Sequence, residues 1–144
     1  MKAVVSDEER SRLLEHFYQE AVQEPMDYFS HDVNTFDDDA YWSFFDEFGY
    51  AGLGKFWRLV ELLSAKKGHS YRVEDRRLAH EMYLTQDELS DLIDGLLRHE
   101  LLDRELYEDG RISSKRVQAN AEIYATKTAK ARLGAEVANR KRIA

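Results

Sequence analysis

Thr85, followed three residues later by Glu88, is the reciprocal capping pattern that starts a helix. Leu89, Leu92, Ile93, Leu96 and Leu97 then recur at the three- and four-residue spacing that gives one apolar face. After His99 the pattern changes. Leu101, Leu102, Leu106 and Tyr107 lead into Glu108-Asp109-Gly110, and Arg111 to Ser114 reads as a short return strand, because Asp-Gly between two such runs is a hairpin signal. The stretch from Thr85 to Arg116 therefore predicts a capped helix, a hairpin and the start of a basic segment, which limits what the rest of the chain can build around it.

Ser6 and Glu9 repeat the capping pattern, and Leu13, Leu14, Phe17, Tyr18, Ala21 and Val22 trace an apolar face to about Gln23. Pro25 ends that helix, and Met26 to Phe36 has no helical period and reads as an extended connector. Asp37 to Asp39 can cap a short helix dense in aromatics (Tyr41, Trp42, Phe44, Phe45, Phe48), with Gly49 as its stop. From about Ala51, the residues Leu53, Phe56, Trp57, Val60, Leu62 and Leu63 mark the next helix, which closes near Lys66, Lys67 and Gly68. His69 to Val73 reads as a short strand and Glu74 to Tyr83 as a brief helix. Ser113 to about Arg142 lacks proline and is rich in Ala, Lys and Arg, which predicts a long helix that Gly134 is placed to interrupt. Helix, strand, helix, helix, hairpin is the order of a winged helix, a helix-turn-helix elaborated by a small sheet. The expected fold is mainly α: a winged helix over residues 26–116, an N-terminal helical arm over 1–25 and a basic C-terminal helix over 117–144.

A chain of 144 residues, 43% of them hydrophobic, can bury one core. The absence of cysteine excludes disulfides, thiolate metal sites and a cysteine nucleophile. No apolar run approaches the ~20 residues of a membrane helix, and the charged amino terminus lacks a signal-peptide hydrophobic region, so a cytoplasmic protein without membrane contact is expected. The net charge of −7 is divided unevenly: residues 111–144 carry +7 and residues 1–110 carry −14. Such a body repels nucleic acid while its tail attracts it, so any DNA contact should begin at the tail.

Several constellations that resemble chemical sites fail on inspection. Gly49 to Phe56 approaches a phosphate-binding loop, but Phe56 stands where a magnesium-binding hydroxyl is required and no buried strand precedes it. Asp27, His31, Asp32 and Asp37 to Asp39 lack calcium-loop spacing and are better explained by helix capping. His80-Glu81 has Leu84 where a zinc hydrolase needs its second imidazole, and no nucleophile elbow is present. No cofactor, metal or catalytic residue is expected.

The tail carries more. At about 100° per residue, Arg116, Lys127, Lys130 and Lys141 fall within a sector of roughly 60° on one helix face, a stripe able to follow phosphates. The same stripe could dock on the acidic body of its own or a neighbouring chain. Outward residues of the capped helix (Gln86, Asp87, Ser90, Asp91, Asp94, Arg98) are mostly acidic, unlike those of helices that read base edges.

Asp27-Tyr-Phe-Ser-His-Asp32, the aromatic helix with its Gly49-Tyr-Ala-Gly52 turn, Phe56-Trp-Arg-Leu-Val-Glu-Leu-Leu63, and above all Leu101-Leu-Asp-Arg-Glu-Leu-Tyr107 followed by Ile112-Ser-Ser-Lys-Arg-Val-Gln118 carry a family likeness. They resemble the amino-terminal winged-helix domain of phage and prophage replication-initiation proteins, replisome organisers related in plan to the primosomal protein DnaD. The resemblance spans about residues 26–124. It implies a non-enzymatic domain that self-associates through its winged helix and helps to load a helicase, with the helicase or its loader as a further partner.

The expectation is thus a replication-initiation accessory module that binds DNA weakly and without sequence preference. Arg111, Lys115, Arg116, Lys127, Lys130 and Lys141 are its candidate DNA contacts, and Leu14, Phe17, Tyr41, Trp42 and Phe45 its candidate association residues. A winged-helix transcriptional regulator and a pure protein-interaction module are the alternatives. Salt dependence and sequence preference separate the three.

Overall fold

Ser6 opens the first helix as its sequence predicts: its hydroxyl accepts the Glu9 N–H at 3.2 Å, and α1 runs Asp7–Ala21. The computed structural model describes residues 4–29, 31 and 33–144; Ser30 and Asp32, the latter among the carboxylates of the connector, lie outside the described residues. The connector is tied back to the body by backbone bonds, Met26 N–H to the Ser64 carbonyl at 2.9 Å and Gly68 N–H to the Gln23 carbonyl at 2.8 Å. A single 3-10 turn, Thr35–Asp37, leads to α2, Asp39–Ala65, whose N-terminus is capped by the Asp38 carboxylate through the Ala40 N–H at 2.8 Å. The two helices expected on either side of Gly49 are both present and abut directly. Gly49 takes φ +65°, and the helix resumes at once in a new direction.

The main core gathers around the second half of α2. Phe44, Phe56, Leu59, Leu63, Leu78, Leu96 and Val117 are almost wholly removed from solvent. After β1 (Tyr71–Arg72) come α3 (Arg77–Glu81) and α4 (Gln86–Arg98). The capping box at Thr85 forms as predicted, with Glu88 N–H to Thr85 Oγ1 at 3.1 Å and Thr85 N–H to Glu88 Oε1 at 3.0 Å. Helix α3 is shorter than the predicted 74–83 because the Asp75 carboxylate takes the Arg77 N–H and guanidinium and holds the chain outside the helix up to Arg76.

The predicted hairpin is absent among the described residues. Asp103 caps a helical turn, α5 (Arg104–Glu108), by accepting the Leu106 N–H at 3.1 Å. Gly110, at φ +85°, returns its N–H to the Tyr107 carbonyl and closes that turn, so Asp-Gly ends a helix here and does not join two strands. The residues after it, β2 (Arg111–Ile112), pair antiparallel with β1 in the register Tyr71↔Ile112 and Arg72↔Arg111. A non-local ladder of two residues per strand takes the place of the wing.

Helix α6, Lys115–Ile143, is continuous through Gly134, which does not interrupt it. Its buried positions Val117, Ala121, Ala125, Ala129, Leu133 and Val137 recur every four residues. Four residues turn a helix by about 40° beyond a full revolution, so this apolar stripe winds around α6. Its first part seals the main core, and its last part turns to α1. There Leu133, Val137 and Val5 form a second, smaller core against Leu13, Leu14 and Phe17. The arm thus packs within its own chain, antiparallel to α6. No helix among the described residues is long and apolar enough to cross a membrane.

Candidate nucleic-acid interface

The acidic arm neutralises part of the basic tail. Arg132 makes a two-pronged contact with Glu24 at 3.1 and 2.7 Å and lies 3.8 Å from Glu20, while Arg140 pairs with Glu9 and, at 2.9 Å, with Glu136. The hydrogen bonds from these guanidinium groups hold the Glu9 and Glu24 carboxyls below their ordinary value of 4.5. Lys127, Lys130 and Lys141 take no part in this. All three are exposed on the outward sector of α6 and form no ion pair among the described residues. Lys115 and Arg111 are exposed where α6 begins. Arg116, expected on the same stripe, turns inward: it donates to the Tyr41 hydroxyl at 3.3 Å, and its guanidinium lies 5.0 Å from the Trp57 ring centre.

Helix α4, which the sequence reading compares with a base-reading helix, presents the predicted Gln86, Asp87, Ser90, Asp91, Asp94 and Arg98 to solvent. Its one cation is committed. Arg98 binds Glu47 at 2.8 and 2.7 Å and Asp94 at 3.0 Å, and His99 adds a 3.1 Å contact to Glu47 while meeting Ser43 at 2.6 Å. Hydrogen bonds from Arg98 and then His99 pull the Glu47 carboxyl down to about 2. What α4 offers outward is carboxylate, which a phosphate backbone repels.

The aromatic residues divide into two groups. Tyr41 is 6% exposed and belongs to the core, edge-on to Phe56 at 5.7 Å, so it is not available at the surface. Leu14 and Phe17 are partly covered by α6. Trp42 faces outward, while Phe45 is half-buried against the core; with Phe36 and Tyr50 they form one patch, with ring centres 4.8 to 6.1 Å apart. Trp42 is 49% and Tyr50 80% exposed, so two of the four rings remain largely unburied.

A second aromatic group forms where the connector crosses α6, and nothing in the sequence links its members. Tyr28, Phe29, Asn120, Ile123, Tyr124 and Lys127 line one crevice. Tyr28 meets Tyr124 edge-on at 6.4 Å, and the Phe29 ring lies parallel to Trp57 at 6.0 Å with His31 stacked on the same indole at 3.9 Å. The contacts depend on the close passage of three segments distant in sequence, the connector, α2 and α6, which no local spacing encodes.

Residues 28–117 match the family model described as Lin1244/Lin1753-like, N-terminal; the match covers more than half of the chain, which belongs to that family. No curated protein and no solved structure matches it.

Proposed function

We propose that this member of the Lin1244/Lin1753-like N-terminal family is a non-enzymatic accessory module of phage-type DNA replication initiation. It contacts DNA weakly through α6 and associates with itself or a replication partner through its aromatic patch. The observation that carries the reading is the outward stripe of Lys127, Lys130 and Lys141, exposed and in no ion pair among the described residues although the arm beside it holds the carboxylates that neutralise Arg132 and Arg140. Three lysines on one face, with Lys115 and Arg111 at its start, suit a contact with phosphates that carries no base information. The replication assignment draws on the likeness of the Leu101–Gln118 stretch to replisome organisers, and the helix-turn-helix of α3 and α4 fits a winged-helix relative in which the local hairpin is lost. A helicase or its loader is the further partner that such a module would engage.

Fluorescence anisotropy with random-sequence DNA, alongside light scattering for mass, tests this. Binding should weaken steeply between 50 and 200 mM salt and vanish when Lys127, Lys130 and Lys141 are changed to Glu, while Trp42→Ala with Tyr50→Ala lowers the mass without affecting DNA. A preference of ~10³-fold for one duplex site would make the protein a regulator instead. A self-associating protein that binds no DNA would be the interaction module.

A further inference from the structure

We infer, resting on the DNA contact proposed above, that the face where the connector crosses α6 is a stacking site for single-stranded DNA, with Tyr28 as its principal base platform. Tyr28 is 67% exposed and Ile123 beside it 56% exposed, and both border the crevice that Lys127 closes. Trp57 continues the surface, reached from Tyr28 through Phe29 and carrying His31 on its face. The cations of this surface are Lys127, which lines the crevice, Lys130 one turn further along α6 and Lys141 beyond it, all exposed, whereas Arg116 is turned inward to Tyr41 and Trp57. The helix rise places Lys127 and Lys141 about 21 Å apart along the axis.

Aromatic rings alternating with cations are what single-strand binding surfaces use, because every unpaired base has a π-face to stack and a phosphate to neutralise. A duplex hides its base faces and would leave Tyr28 and Ile123 against solvent or the sugar backbone. An aromatic surface built for a protein partner alone would not need the lysines. Asp27, exposed beside Tyr28, is the one described carboxylate next to the platform in sequence.

The test is anisotropy of labelled dT20, a 20-base-pair duplex and rU20 with the full chain at 50 mM salt, for the wild type, Tyr28→Ala and Lys127→Glu with Lys130→Glu. Circular dichroism verifies the fold of each variant. The expected result is binding of dT20 about tenfold tighter than the duplex, weakened roughly fivefold or more by Tyr28→Ala. The same change leaves the duplex unaffected, and the lysine pair weakens both. Equal binding of dT20 and duplex, insensitive to Tyr28→Ala but lost with the lysines, would overturn the stacking site and leave the proposed function standing. No wild-type binding to any probe would overturn the proposed DNA contact itself. Tighter binding of rU20 than dT20 would overturn the assignment to DNA.

Discussion

Gly95→Ala and Gly134→Ala make the same change in two helix interiors, and the structure predicts opposite outcomes. In an exposed helix, alanine is favoured over glycine by about 0.8–1.0 kcal/mol, since glycine loses more backbone entropy on folding. Gly134 has open space where its Cβ would go, so Gly134→Ala should stabilise by nearly that amount. At Gly95 the Cβ would stand 2.3 Å from Phe48 Cζ and 2.5 Å from Cε2. The ring tip cannot simply swing aside: Phe48 stacks on Phe44 at 4.7 Å, meets His99 edge-on at 6.3 Å, and its own Cβ faces Gly52. Overpacking of this kind costs about 1–3 kcal/mol, and a trapped ring belongs at the upper end. Net of the helix gain, Gly95→Ala should destabilise by about 1–2 kcal/mol. Urea unfolding followed by circular dichroism reads both variants against the wild type. In a Phe48→Leu background the Gly95→Ala penalty should shrink toward zero. Stabilisation by Gly95→Ala in the wild-type background would refute the reading that the Phe48 ring fills the space beside Gly95.

Three further outcomes follow from the packing and the charges. Glu47 titrates near 2 in the fold against an ordinary 4.5, so its contribution is complete above pH 4.5 and is lost as the pH falls through about 2; Glu47→Gln should flatten the fall of the urea midpoint across that window, and an unchanged slope would contradict the Arg98–Glu47–His99 network. Leu133→Ala removes the centre of the small core between α1 and α6 and should cost about 2 kcal/mol, near the low end for a buried leucine because the arm can relax toward the gap; proteolysis within the first 25 residues should quicken, and an unchanged cleavage rate would show that the arm does not depend on this core. Asp103→Ala removes the cap of α5 and should destabilise by about 1 kcal/mol, measured by urea unfolding, whereas a chain with a strand over 101–107 would not register the change.

Much of the helical frame was legible because its signals are local. Ser6 with Glu9, Thr85 with Glu88, and the Asp37–Asp39 run are capping patterns complete within four residues, and each starts a helix where expected. The hairpin expected after α4 does not form because Asp-Gly satisfies two demands equally, a positive φ between strands and a positive φ at the end of a helical turn. What decided between them was the Asp103 cap and the pairing of Arg111–Ile112 with a strand some forty positions earlier, a long-range contact. The shared outward face of Lys127, Lys130 and Lys141 was legible from periodicity, but the inward turn of Arg116 and the ion pairs of the tail's other arginines were not. Arg132 and Arg140 are drawn to Glu24 and Glu9 because the four-residue apolar repeat rotates α6 against the arm, and Arg116 is drawn to Trp57 by the core. Tyr28 and Tyr124 come together only through tertiary packing.

On the proposed reading, nucleic acid meets α6 and not α4. Amide chemical-shift mapping of the isotope-labelled protein titrated with dT20 tests it most directly. The expected perturbations concentrate at Tyr28 and along residues 116–130, extend toward Lys141, and leave residues 86–98 unmoved. Shifts centred on Gln86, Ser90 and Arg98 with the outward face of α6 silent would contradict it.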